Sequence, residues 1–214
     1  MISMAVSSIG FAQTTPTFGV KAGFASSGIR GESMDNLNTL LDFTNGMATR
    51  TNNTGFFVGV NSSIPLGENF SVEPGIYYTQ KGSQINGKLN GKIGDLIGVS
   101  AKSVLQANYI DVPLILKANV GGFQLFAGPQ ISYLTDAHLK TTAGVLGINL
   151  LKNTIDAASV LNKWDAAVTG GIGYQFVNGI NISASYDYGL LKADSNRKTA
   201  AYNQSVKVGI GINF

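Results

Sequence analysis

The chain has 214 residues, of which 44% are hydrophobic and only 13% are charged, about half the charged fraction of an ordinary soluble domain. It contains no cysteine, which excludes a disulfide framework and a thiolate metal site. The net charge is only +3 and the 15 lysines and arginines are scattered without interleaved aromatic residues, so the composition argues against nucleic acid as a partner.

The first dozen residues are apolar or small and end in Gly10-Phe11-Ala12. This small-x-small pattern fits signal-peptidase cleavage before Gln13, although the basic segment that usually opens a signal peptide is missing. We therefore expect residues 1–12 to be the remnant of a secretory signal peptide, with a disordered N-terminus as the alternative. Residues 13–214 are predicted to form a single domain.

Apolar and polar residues alternate along most of the remaining chain, and no apolar run reaches the roughly 18 residues of a membrane helix. Such alternation is typical of β-strands that have one apolar face. In chain order, eight strands are predicted: Phe18–Ser27, Gly55–Leu66, Phe70–Ser83, Leu105–Val120, Phe123–Asp136, Lys163–Phe176, Ile180–Leu190 and Tyr202–Phe214.

The connections between these strands alternate in length. Tight turns at 67–69, 121–122 and 177–179 alternate with long loops at 28–54, 84–104 and 137–162 and a shorter one before Tyr202. An even number of strands, short periplasmic turns and long outer loops are the plan of a bacterial outer-membrane barrel. The sequence therefore predicts an all-β fold, an eight-stranded antiparallel up-and-down transmembrane β-barrel integral to the outer membrane, with both termini on the periplasmic side.

The alternative is a soluble, lipocalin-like barrel, which would enclose the apolar face and expose the polar one. Aromatic placement favours the membrane, because aromatic residues of the apolar face lie near both ends of the strands, as two interfacial girdles would. The predicted girdle residues are Phe18, Phe70, Phe123, Phe176 and Phe214 near the tight turns, and Tyr78, Tyr133, Trp164, Tyr186, Tyr188 and Tyr202 near the long loops.

Charged residues of both signs lie on the polar face, which would line the lumen. An eight-stranded barrel is just wide enough to be filled by side chains, and buried charges persist only when they are paired. We interpret the set as an ion-pair network that closes the lumen, with an ion pathway or ligand site as the alternative; Asp111 is the expected partner of Lys117. The set comprises Lys21, Glu73, Lys81, Asp111, Lys117, Asp165, Asp187 and Lys207.

Two further features of the predicted strands bear on how they pack. Glycines recur on the polar face and would leave room for long lumenal side chains. Pro74, Pro113 and Pro129 fall within strands, where each lacks a ladder donor, and a closed barrel has no edge to accommodate one. We expect β-bulges at these prolines.

Four segments, NYIDVPLILKANV, FQLFAGPQISYL, SVEPGIYYTQKG and the terminal VGIGINF, resemble the outer-membrane β-barrel domain family of Gram-negative bacteria, often labelled porin-family proteins. The resemblance covers Phe18–Phe214, and the size is similar to that of small OmpX-like barrels. It implies the fold and the location, and it implies that the terminal Phe214 is recognised by the barrel assembly machinery. The family's motifs are loose and imply no particular activity.

An enzyme is a further alternative, because outer-membrane lipid hydrolases use a Ser/His/acid set near the barrel rim, and His138, the only histidine, lies near Ser132 and Asp136. A single histidine in a loop is more often solvated, so no catalytic residues are predicted. With one histidine and no cysteine, no metal site and no cofactor are expected.

The long loops contain more apolar residues than loops usually do. Such surfaces either pack together as a lid or bind a partner. We expect a non-enzymatic surface-binding or envelope-structural protein that meets lipid along its barrel and an extracellular protein or apolar ligand at its loops; a narrow porin is the alternative. The candidate loop residues are Leu37, Leu40, Leu41, Leu146, Ile148, Leu150 and Leu151.

Overall fold

The computed structural model describes residues 15–42, 48–88, 100–145, 148–194 and 200–214. Residues 1–12, the predicted signal-peptide remnant, lie outside these ranges. The described elements are β1 (Thr17–Arg30), α1 (Glu32–Asp42), β2 (Ala48–Pro65), β3 (Phe70–Lys88), β4 (Ser100–Val120), β5 (Phe123–Val145), β6 (Ile148–Asp156), β7 (Trp164–Gln175), β8 (Ile180–Lys192) and β9 (Tyr202–Asn213).

Eight of these strands, all except β6, pair antiparallel in a closed ring. The ring closes where β1 pairs with β9, and there Phe18 and Phe214 exchange two backbone hydrogen bonds of 3.1 and 2.8 Å. Both ends of the paired chain therefore lie at the tight-turn end of the barrel. The predicted eight-stranded up-and-down barrel is confirmed.

The apolar face of the ring is turned outward. Large apolar side chains such as Leu116, Leu125 and Ile210 are more than half exposed, whereas Glu73 and Asp111 are buried inside. This is the orientation of a barrel solvated by lipid, because apolar side chains contact hydrocarbon and polar ones face inward. It is the reverse of the lipocalin-like alternative.

The tight turn between β4 and β5 is formed by two glycines. Gly121 and Gly122, which join β4 to β5, have φ values of 57° and 89°, a conformation that a two-residue hairpin of type I′ requires and that glycine adopts without strain. With this turn, Val120 pairs with Phe123, and the register of the hairpin continues from there.

The prediction of three long loops is wrong over much of their length. The strands continue beyond the membrane-spanning part, and 137–162 contains β6 as well as the end of β5. Above the membrane both faces of a strand meet water, so these segments lack the apolar alternation by which the other strands were recognised. We define the protruding sheet as residues 48–54, 83–88, 100–108 and 136–145 together with β6.

The connection between β1 and β2 contains α1. Glu32 and Asp35 lie in its first turn, where the negative charge of acidic side chains interacts favourably with the positive end of the helix dipole. Among the described residues, no helix combines the length and hydrophobicity needed to cross a membrane.

The predicted bulges at the prolines are also wrong. In the β3–β4 ladder Pro74 pairs with Leu114 and Tyr77 pairs with Asp111, and the positions between these two pairs, which include Pro113, are unpaired. The register is the same on both sides of this gap. The β2–β3 ladder has a similar gap at Pro74 and the β4–β5 ladder one at Pro129, again without a change of register, so no inserted residue is needed. The β4–β5 register shifts instead between Asn108 and Tyr109.

Candidate functional site: the filled lumen and the protruding sheet

An amide layer fills the tight-turn end of the lumen. Gln124 donates to the Asn119 side chain at 3.1 Å, and Asn213 donates to that of Gln175 at 3.2 Å. We did not predict this layer, although its signal is visible in the sequence as polar amides beside the tight turns. Its members are Asn61, Asn119, Gln124, Gln175, Asn181 and Asn213.

A lower charged layer lies next along the axis and consists of Lys21, Glu73 and Lys117. Lys117 Nζ forms a buried ion pair with Glu73 Oε2. The expectation that Asp111 is the partner of Lys117 is therefore wrong, and the reason is register: Lys117 pairs directly with Ser71 across the β3–β4 ladder, two residues from Glu73.

Aromatic side chains occupy the middle of the lumen. The rings of Phe57 and Tyr77 meet edge to face with centroids 6.2 Å apart, and Phe126 is likewise buried. Glycines make room for these rings, since a Cβ built at Gly209 would lie 2.6 Å from Phe57 Cζ and one at Gly171 would lie 2.6 Å from Phe126 Cζ.

An upper charged layer follows and is bridged across the barrel. Lys207 Nζ lies 3.1 Å from Asp111 Oδ2 and 2.7 Å from Asp187 Oδ2, while Lys81 Nζ lies 3.0 Å from Asp111 Oδ1. Asp165 accepts a hydrogen bond of 2.8 Å from the Asn203 amide. The carboxylates in this layer are thus held by ammonium and amide donors from other strands, as buried charges require.

An apolar cap covers the extracellular end of these layers. Asn108 pairs with Asp136 and Tyr109 pairs with Leu134, so Thr135 is one extra residue in β5 and forms a β-bulge. Because of this bulge, Leu134 and Ala137 are both buried although they are three positions apart. The cap consists of Ala107, Tyr109, Leu134, Ala137 and Ala157, with Leu105, Leu139, Ala158 and Leu161 packed against it.

The predicted girdle residues lie on the lipid-facing surface at the two ends of the membrane-spanning strands. At the tight-turn end, Phe123 and Phe176 both pack edge to face on Tyr174, with centroids 5.0 and 4.9 Å away. At the other end, Tyr133 packs on Trp164 at 4.9 Å. All of the predicted girdle residues are exposed except Tyr78 and Tyr202, which are half-buried.

Of the residues considered for catalysis, His138 and Asp136 lie together but Ser132 lies apart from them. His138 Nε2 lies 3.1 Å from Asp136 Oδ2 on the partly exposed part of β5. Ser132 is buried in the upper charged layer, where it accepts a hydrogen bond from Lys81 at 3.3 Å. Six residues of extended strand separate it from His138, roughly 20 Å. Within the described ranges, no group of three or more acidic, histidine or cysteine side chains could hold a metal ion.

The protruding sheet ends in β6, which pairs with the upper part of β5. Leu150 and Leu151 on this strand are 67% and 69% exposed, and Ile155 is 53% exposed. Of the other candidate loop residues, Leu41 is half-buried at the end of α1, Leu146 lies outside the described residues, and the same is true of the side chains of Leu37, Leu40 and Ile148.

Solved structures of other proteins are similar to the chain. Neisserial surface protein A is similar to the chain, with 11% identity, a TM-score of 0.50, and coverage of 94% of this chain and 100% of that one. The attachment invasion locus protein Ail of Yersinia pestis is 12% identical, with a TM-score of 0.46 and the same coverage. No curated protein matches the sequence.

At sequence identities this low, structural similarity indicates a shared fold and says nothing about function. The family model described as "Outer membrane protein beta-barrel domain" matches residues 11–195, which is most of the chain. The chain therefore belongs to the outer membrane protein β-barrel domain family and is an integral protein of the outer membrane.

Proposed function

We propose that this protein is a non-enzymatic surface-binding protein that takes up an extended segment of an extracellular polypeptide at the protruding sheet. The observation that carries the proposal is the outer edge of β6. On one side β6 pairs with β5, and on the other side no strand of the described chain pairs with it. Residues 150–156 are all exposed.

A polypeptide is the ligand that matches such an edge. The edge of a sheet presents a row of backbone donors and acceptors, to which an extended peptide can add as a further strand. Leu151 and Ile155 pair with Ala143 and Leu139, so they lie on one face of the sheet. Their exposed side chains would contact alternate apolar residues of the added strand, which gives the interaction some sequence preference.

A narrow channel is the alternative function, and the layers in the lumen argue against it. Amide, charged and aromatic side chains fill the lumen in succession, and the apolar cap covers its outer end. We expect the purified protein in a planar bilayer to show no stable conductance steps, whereas a sixteen-stranded, water-filled porin in the same bilayer shows them. Large, long-lived steps from the protein would favour the channel.

Charge on the apolar face of β6 is expected to abolish peptide binding. In the double variant Leu151→Lys and Ile155→Lys, two ammonium groups replace the apolar side chains that would contact the added strand. The measurement is selection of a random-peptide library on outer-membrane vesicles that contain the protein. The parent should enrich peptides with alternating apolar residues, and the double variant should enrich none.

The matched control is Thr154→Lys, which adds a charge to the same strand on the opposite face of the sheet. It should retain most of the selection. Heat-modifiable migration on a gel verifies that all three proteins fold. Equal enrichment by the parent and the double variant would contradict a binding role for β6, and an absence of any enrichment by the parent would favour a purely structural role in the envelope.

A further inference from the structure

A cavity of about 60 Å³ lies in the lumen beside Phe57, Tyr77 and Phe126 and is lined by residues of both charged layers. Its lining includes three lysines, Lys21, Lys117 and Lys207, but only one acidic residue, Glu73. Ser183 and Ser185 also line it. Since a water molecule needs roughly 10–15 Å³ of such space, the cavity has room for a few waters or for a small ion.

The carboxylate is already engaged. Glu73 forms its ion pair with Lys117, and Lys207 is held by Asp111 and Asp187. Lys21 belongs to none of the ion pairs formed among the described residues. Its Nζ lies 6.0 Å from the centroid of the Phe126 ring, and that ring supplies only a weak attraction.

The lumenal charges balance as a set but are unevenly distributed along the axis. The lower charged layer has two lysines and one carboxylate, a net charge of +1, and the upper charged layer has two lysines and three carboxylates, a net charge of −1. The aromatic side chains Phe57, Tyr77 and Phe126 lie between them. Lys21 is half-buried, and an ammonium held partly away from water without an opposite charge is unfavourable, so the lower layer lacks one negative charge.

We infer that this cavity binds a small monovalent inorganic anion, of which chloride is the natural example, against Lys21. Lys21 would supply the opposite charge, and the hydroxyls of Ser183 and Ser185 can donate hydrogen bonds to an anion. A space for a few waters matches a monovalent inorganic ion better in size than a larger organic anion such as gluconate. Binding at this site does not depend on the surface-binding role, because the lumen and β6 are separate parts of the molecule.

The first experiment locates the ion. Crystals of the full-length protein grown in detergent with bromide in place of chloride should give an anomalous peak within hydrogen-bonding distance of Lys21 Nζ. A cavity that contains only water, or a bromide peak found only on the outer surface, would overturn the inference.

The second experiment measures linkage to stability. In the wild type, Tm should rise with chloride concentration when gluconate keeps the ionic strength constant, because the ion binds only the folded state. Lys21→Gln should remove this dependence, and Lys152→Gln, which changes an exposed lysine on β6, should retain it. The same chloride dependence in Lys21→Gln would overturn the inference; if that variant does not fold, the bromide peak of the wild type decides.

Discussion

Replacing Lys207 with Met is expected to destabilise the barrel by about 3–5 kcal/mol, the usual cost of removing one partner from a buried ion pair. Lys207 bridges Asp111 and Asp187 across the lumen, and all three side chains are buried. Asp111 would keep Lys81 as a partner, but Asp187 would lose its ammonium group. Methionine has nearly the same length, so the loss of charge, and not of volume, dominates.

The measurement is urea unfolding of the protein in lipid vesicles, followed by the fluorescence of Trp164, the only tryptophan. Lys163→Met, which changes an exposed lysine, should leave the midpoint nearly unchanged. The double variant Lys207→Met and Asp187→Asn should be less destabilised than the sum of the single variants, because the stranded charge is removed. Equal midpoints for Lys207→Met and the wild type would refute the bridging role.

Two adjacent glycines should respond in opposite ways to the same substitution. A Cβ at Gly171 would lie 2.3 Å from the backbone oxygen of Ala184 and 2.6 Å from Phe126 Cζ, whereas the nearest atom to one at Gly170 is the Phe126 oxygen at 3.9 Å. Gly171→Val is therefore expected to destabilise the barrel by about 3 kcal/mol or more through overpacking. Gly170→Val should be neutral or stabilising, since valine suits a strand.

Heat-modifiable gel migration after refolding, together with the same urea titration, tests this pair. Most of the Gly171→Val chains should run as unfolded protein under conditions in which Gly170→Val folds as the wild type does. If both variants fold with the wild-type midpoint, the close packing of the lumen around Phe126 is not what stabilises this part of the ring.

The membrane-spanning part could be predicted because the two faces of each strand meet different surroundings, which gives the sequence a period of two residues. Lipid on one side and a narrow lumen on the other force alternation along strands such as Ile180–Lys192, and the glycine turn at 121–122 sets the register of the central hairpin. No comparable constraint acts above the membrane. There β3 and β4 continue through residues with no alternation, so the sequence pattern indicates a loop where the structure has strands.

The site was predictable as a set of residues but not as a set of contacts. Inward positions follow from alternation, so the eight lumenal charges could be named. Their pairing depends on side chains that reach across the barrel from strands far apart in sequence; Lys207 and Asp111, for example, are separated by 96 residues. The closeness of His138 and Ser132 in sequence is the converse case, because an extended strand holds close neighbours in sequence far apart in space.

The pairing of Phe18 with Phe214 affects the order in which the protein can fold. These two residues are separated by nearly the whole described chain, so the last hydrogen bonds of the ring are also its most non-local contacts, and such contacts form slowly. Any partly assembled sheet has two unpaired edges, each able to pair with another chain. Successful folding therefore requires that these unpaired edges be protected from other chains until β9 pairs with β1.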